Sequence, residues 1–466
     1  MISKNLMKKS GIYFIGNLSS KIMSALLIPI YAFYINTSDL GYYDLSQTIM
    51  GILCPVIVLA IWESILKFVL GENDELERKK ILSTSAYFSL GICFILLSLG
   101  IIIKFINPYS IRYFNLIITM IILHTLVYIW QYYARGLGEN KLYVVSGILS
   151  TIISFAFVII FIVIAKFGIV GLYLAYNIGQ LSIIIILEMQ LKILSKIKLK
   201  YFDITILKNM ILFSAPLVLN LVSAWAMSGF GRIIISKKLG VEINGLYSFA
   251  NKFSLIITMI GSVITMALVE EAILSLKNKK ENEDFGKTIE YLFEIFQYLI
   301  LIATPLIMIF YEIICNTSYY ESRTLVPLLL LYATVNTMAC NIGSIFQAIN
   351  QTKYQFITTV LGAIVTIVIT FLFIDFISVY SVIVGQVLGS IVMMLARYMY
   401  INKFINITIN WKVIIIRTLL FIFICIICLK TDIFVNILMF LGVVLMIIHS
   451  NRKIILNIIL EIKNNF

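Results

Sequence analysis

Residues 17–47 read NLSSKIMSALLIPIYAFYINTSDLGYYDLSQ, and this stretch decides the fold. It runs through a long apolar segment, past Pro29, into Asp39-Leu40-Gly41-Tyr42-Tyr43-Asp44, and on toward a second apolar segment. About 20 apolar residues are what a helix needs to cross hydrocarbon. Lys21 stands near the middle of this one, where an ion costs about 2.5–3.5 kcal/mol even on the lenient insertion scale. A similar plan returns later in the chain, where Arg232 to Lys252 passes through Asn244-Gly245-Leu246-Tyr247 into another apolar run. Aligning Gly41 with Gly245 gives an offset of 204, with Tyr43/Tyr247 and Ile52/Ile256 as further identities.

The whole chain repeats this character. Hydrophobic residues make up 61% and charged residues 13%, against about 25% charged in a soluble domain. The apolar runs are far too long for barrel strands, and in lipid only helices or closed barrels satisfy the backbone. The reading is an all-α polytopic membrane protein with about fourteen transmembrane helices and no soluble domain. The first span is expected at 11–34, the second at 45–70, the eighth at 247–269 and the last at 433–449. Lys4, Lys8 and Lys9 before an apolar run imitate a signal peptide. The length of the run, Pro29 and the lack of a small-residue cleavage site favour a first span.

With the N-terminus inside, inner segments carry 24 lysines and arginines and outer segments 7. That bias places both termini in the cytoplasm. The net charge of +13 is therefore topological and gives no reason to expect nucleic acid. In this count Arg397 belongs to an inner segment, 397–412. The inner stretch 191–208 interleaves five lysines with apolar residues and is expected to lie on the anionic leaflet as an interfacial anchor. It divides the chain into an N-terminal six-helix lobe (1–190) and a C-terminal six-helix lobe (209–402), with two extra helices and a tail (403–466). An even number of spans between copies makes this a parallel pseudo-twofold repeat.

Chemistry is marked first by what is missing. There is no Gly-x4-Gly-Lys-Ser/Thr phosphate cradle, no His/Cys/carboxylate cluster at metal-ligand spacing, and no loop large enough for an active site. Cys425-Ile-Ile-Cys428 has redox-like spacing but sits mid-span, and all six cysteines read as small apolar residues. A transporter without an ATPase motif is expected, not an enzyme, with no cofactor and with proton or sodium-ion coupling left open. The candidates are the ionisable groups within spans. Asn17 and Lys21 share a helix face with Ser24 and Ala25. Glu63 and Lys67 are spaced to satisfy each other, and His124 has a side chain that titrates near neutral pH. Arg232 and Lys252 would add positive charge to a central cavity. Glu290 and Glu294 suit the dipole at a helix start, and Arg417 reads as interfacial. An excess of inward cations points to an anionic or amphiphilic substrate.

At this point the chain resembles the bacterial polysaccharide-biosynthesis flippases of the multidrug/oligosaccharidyl-lipid/polysaccharide superfamily. The resemblance is carried by Leu40-Gly41-Tyr42-Tyr43-Asp44-Leu45, read as a turn after helix 1, and by Gln131-Tyr132-Tyr133-Ala134-Arg135-Gly136-Leu137-Gly138-Glu139-Asn140-Lys141 after helix 4. It continues in Arg232 through Leu239-Gly240 to Gly245-Leu246-Tyr247-Ser248, and in Gln347-Ala348-Ile349-Asn350-Gln351-Thr352-Lys353. It implies a two-lobed fold working by alternating access in the bacterial cytoplasmic (inner) membrane. The implied substrate is an undecaprenyl-diphosphate-linked oligosaccharide for O-antigen or capsule assembly. Membrane lipids are implied partners, as are a polysaccharide polymerase and glycosyltransferases. Lys21, Arg232, Lys252, Lys67 and Asn17 would attract the diphosphate or acidic sugars, and Glu63 or His124 would couple or gate. Arg135, Gly136, Gly138, Lys141 and Lys353 would form inner hinge loops. Family members often place an acid before the arginine of helix 7; here Gly231 stands there, so a local Asp-Arg pair is absent. The alternatives are a cation-coupled multidrug exporter, a peptidoglycan lipid II flippase and, less readily, a membrane polysaccharide polymerase.

Overall fold

A computed structural model describes residues 23–452 except Ser24, Gly71, 107–111, 278–281, 350 and 405–408, with backbone alone at Ile103, 262–288 and 347–348. Asn17 and Lys21 lie outside the described residues. The described residues are helical, with no strand among them. Among the described residues eleven helices are long and apolar enough to cross a membrane, and a bent pair taken as one span makes a twelfth. Of the fourteen expected spans, the two not counted are 11–34 and 247–269, and both run onto residues outside full description.

The chain forms two compact units, Met1–Ser248 and Phe249–Phe466. In the first, α1 (Ala25–Tyr34) leads to α2 (Thr37–Ile57) and α3 (Ile61–Val69). Then come α4 (Glu75–Ile106), α5 (Phe114–Gly136), α6 (Asn140–Val158) and α7 (Ile169–Leu191). A short α8 (Ile193–Lys196) precedes α9 (Ile204–Ser228), α10 (Phe230–Lys238) and the start of α11 (Val241–Lys277). Helix α5 packs on α3 and α7, and α3 also packs on α9. Their shared core holds Ile61, Ile65, Ile129, Trp130, Tyr133, Leu187 and Met210.

The stretch 40–45, expected as a turn, is helical. The α2 start lies upstream, where the Asn36 side chain accepts from the Asp39 N–H at 2.7 Å and donates to Asp39 Oδ2 at 2.9 Å. The first bond satisfies an N-terminal donor that the helix cannot, and the second holds the capping side chain in place. Gly41 is there for packing. A Cβ on it would overlap the Val241 carbonyl, and one on Gly245 would overlap the Thr37 carbonyl. Hydrogen-only surfaces let membrane helices touch backbone to backbone. The two glycines aligned as repeat equivalents therefore meet at one crossing.

The second span is broken. Leu59 and Ala60 take positive φ (50° and 47°), and α3 leaves α2 at 57°. Ala60 and Val58 are fully buried, so packing holds a left-handed conformation that costs an L-residue about 1–2 kcal/mol. The sequence hides this break, because the residues on either side are as apolar as those of a straight span.

The second unit contains α12 (Asn282–Ile313), α13 (Val326–Ala348), α14 (Thr352–Ile377), α15 (Tyr380–Ile401), α16 (Trp411–Lys430) and α17 (Ile433–Ser450). Helix α15 packs on α13 and α14, while α16 and α17 pack on α12. Arg417, expected at the interface, ties α16 to α12. It donates to Glu294 Oε1 at 2.5 Å and to the Tyr298 hydroxyl at 3.1 Å. Glu294 thus pairs across helices rather than serving a dipole, and Glu290 accepts from the Asn410 N–H at 3.3 Å. The charge sits in protein, where a partner offsets the cost of leaving water.

Candidate functional site

The first unit holds a cavity of ≈ 310 Å³ whose mixed polar and apolar lining includes Gln47, Thr48, Met50, Tyr176, Trp225, Ser228 and Arg232. Helix α2 supplies the first three, α7 the tyrosine, and α9 and α10 the rest. Gly229 separates α9 from α10, and its N–H donates to the Trp225 carbonyl at 2.6 Å. A Cβ there would press on the Trp225 indole, so glycine is what lets the ring lie over the break. The indole N–H donates to the Thr48 carbonyl at 3.0 Å.

Arg232 on the cavity wall is ion-paired. Its Nε lies 3.4 Å from Asp44 Oδ2, its Nη1 donates to Thr48 Oγ1 at 3.3 Å, and the Tyr247 ring centre is 5.9 Å away. Asn244 donates to the Gly41 carbonyl at 2.8 Å and lies 3.5 Å from Asp44 Oδ2. The local Asp-Arg pair is absent, as Gly231 implies, and Asp44 of α2 supplies a carboxylate from another helix. Asp44 lay inside the quoted motif, but one sequence does not show that α2 and α10 touch. Lys252 lies on α11 in the second unit and is half-buried.

Glu63 and Lys67 do not form one of the ion pairs among the described residues. Glu63 accepts from the Tyr132 hydroxyl at 2.9 Å, and the Lys67 ammonium lies 3.8 Å from the Phe213 ring centre. Helical spacing does allow that pair, but Tyr132 arrives from α5 and Phe213 from α9. Tyr132 belongs to a stripe on α5 spaced four residues apart. His124 meets the Tyr128 ring edge-on at 4.8 Å, Tyr128 stacks on Trp62 at 4.2 Å, and the Tyr128 and Tyr132 rings are 6.1 Å apart. The Tyr176 hydroxyl, on the cavity wall, lies 3.1 Å from His124 Nδ1. The stripe therefore runs from the cavity to Glu63 through rings, with hydrogen bonds at its two ends.

The expected hinge loop after α5 is short. Arg135 lies over the Tyr132 and Tyr143 rings at 4.9 and 5.4 Å. Gly136 lets α5 approach Val69, and Gly138 turns the chain at φ 81°. Lys141 and Lys353 are exposed on the opening turns of α6 and α14.

One buried cation escaped the sequence reading. Arg397 of α15 is 3% exposed. It donates to the Ala339 carbonyl at 2.6 Å, to Thr359 Oγ1 at 2.8 Å and to Thr358 Oγ1 at 3.0 Å. Gly343 makes room, since a Cβ there would overlap the guanidinium.

Residues 6–269 match the family described as polysaccharide biosynthesis protein. The chain belongs to that family. Solved structures agree on the fold of this polysaccharide biosynthesis protein. A lipid II flippase, MurJ, in an inward closed conformation superposes with a TM-score of 0.69 at 18% identity, covering 95% of this chain and 100% of the other. An inward-facing multidrug resistance MATE family transporter of the MOP superfamily gives 0.66 at 15% identity, covering 83% and 97%. No curated protein matches the sequence. The polysaccharide biosynthesis protein is thus a multi-pass membrane protein with the fold of known transporters and flippases.

Proposed function

We propose that this polysaccharide biosynthesis protein is a flippase without ATPase or other enzymatic activity. It moves undecaprenyl-diphosphate-linked oligosaccharide units from the inner to the outer leaflet of the bacterial cytoplasmic membrane by alternating access. Both termini face the cytoplasm, and the product is surface polysaccharide of O-antigen or capsule type. The observation that carries this reading is the cavity with Arg232 on its wall, within a unit of apolar membrane-length helices. Polar and ionisable groups at membrane depth are costly and mark substrate pathways. Asp44 and Thr48 fix the guanidinium, so an anionic group meets a cation that is already oriented. Asn17, Lys21, Lys67 and Lys252 extend the attraction, and the Glu63–Tyr132 and His124–Tyr176 contacts are where a coupling ion acts. Glycosyltransferases supply its substrate, and a polysaccharide polymerase consumes the unit it has moved.

Deleting the gene should leave lipid-linked units at the inner leaflet and abolish surface polymer. Normal polymer with raised drug sensitivity would favour the cation-coupled exporter, which the carboxylate of Glu63 also suits. In the complemented strain, Lys21→Gln should lower export at normal protein level; full export would remove Lys21 from the site.

A further inference from the structure

The stretch 191–208 is a built shelf on the first unit. Ser83 Oγ of α4 donates to the Lys196 carbonyl at 3.3 Å and accepts from the Lys198 N–H at 3.2 Å. Thr84 Oγ1 accepts from the Asp203 N–H at 3.0 Å. Both hydroxyl side chains are fully buried. Glu188 accepts from the Leu194 N–H at 3.1 Å and from the Trp130 indole at 3.2 Å. The backbone is thereby pinned, and Lys196 lies over the buried Tyr133 ring at 5.8 Å. Lys192, Lys198, Lys200 and Lys208 are exposed, interleaved with Leu194, Leu199 and Ile204 at 59%, 69% and 67% exposure.

The acids nearby are already engaged. Asp203 caps α9 through the Thr205 and Ile206 N–H groups, and Glu75 and Glu77 pair with Lys79 and Lys80. Among the described residues, no ion pair involves a lysine of the shelf. Both flanking helices, α7 and α9, are membrane spans, so the shelf must lie at a membrane surface. Exposed apolar side chains between cations exclude a purely aqueous partner and match the boundary between headgroup and acyl chain.

We propose that this shelf binds anionic phospholipid headgroups, with Lys198 and Lys200 meeting phosphate while Leu199 and Ile204 enter the acyl boundary. The site is separate from the transport cavity and holds whatever the transported molecule is. The test uses the full-length protein in mild detergent, titrated with phosphatidylglycerol or phosphatidylcholine and read by native mass spectrometry. Phosphatidylglycerol should be retained in preference to phosphatidylcholine, and less so at higher salt. Lys198→Gln with Lys200→Gln should weaken that retention by about thirty-fold, from roughly five-fold per lysine near an anionic surface. Lys198→Arg with Lys200→Arg should preserve it, and helix content should match wild type in both. Equal retention of the two lipids, or undiminished phosphatidylglycerol binding by the glutamine variant, would overturn the proposal. Export assays on the same variants read the transport function separately.

Discussion

Arg232 and Arg397 are the same residue type within apolar helices, and they have been given opposite surroundings. Arg232, in the first unit, has a side chain 19% exposed, a carboxylate partner and a place on a cavity wall. Arg397, in the second, is 3% exposed and spends its donors on one carbonyl and two threonine hydroxyls at hydrogen-bond distance. The difference separates two uses of a cation. One leaves a charged group on the wall of a cavity; the other ties three helices together through buried hydrogen bonds.

The largest effect should come from Arg397→Met. It removes the charged donor of three buried hydrogen bonds, and at about 1.5–3 kcal/mol for a hydrogen bond to a charged group the loss should be about 3 kcal/mol or more. A fall in melting temperature and in membrane protein level measures it, and export should fall only in proportion to protein. If protein level holds while export vanishes, Arg397 is not a brace and the contrast fails.

Arg232→Gln should do the reverse. Its stability cost should be about 1–2 kcal/mol, since a partly exposed charged hydrogen bond is lost, while export falls at near-normal protein level. A double-mutant cycle with Asp44→Asn measures the coupling directly. Additive losses would show that the pair does not act as a unit.

The smallest effect sharpens the comparison with a third cation. Lys67 is exposed and has aromatic rings for company, so Lys67→Met should cost about 0.5–1 kcal/mol. A several-fold fall in export with stability nearly intact is the outcome expected of a residue at the substrate's entrance. Unchanged export would remove it from the binding set.

These cases show what one sequence could tell. Spans and fold class were legible because hydrophobic length is a local property, and the cap at Asn36–Asp39 marks the true start of α2. Partners were not, because they are tertiary. Glu63 and Lys67 had ideal spacing for each other, yet found Tyr132 and Phe213 on other helices. Asp44 stood in a motif read as a turn, and its arginine came from 188 positions away. Arg397 was counted as a loop charge because it lies near a helix end, where burial does not register. Gly41 and Gly245 were aligned as echoes, and only the folded chain shows them meeting at one crossing.

The break at Leu59–Ala60 gives α3 the mechanics of a lever. Nine residues at 1.5 Å per residue make an arm about 13.5 Å long. Swung through its 57° bend with α2 held still, its far end travels about 13 Å, slightly more than the width of a helix. Glu63 sits near the fulcrum and would barely shift, whereas Lys67 rides farther out on the arm. A hinge at half-buried Leu59 and buried Ala60 would thus convert a small local change beside a carboxylate into a displacement the size of a doorway.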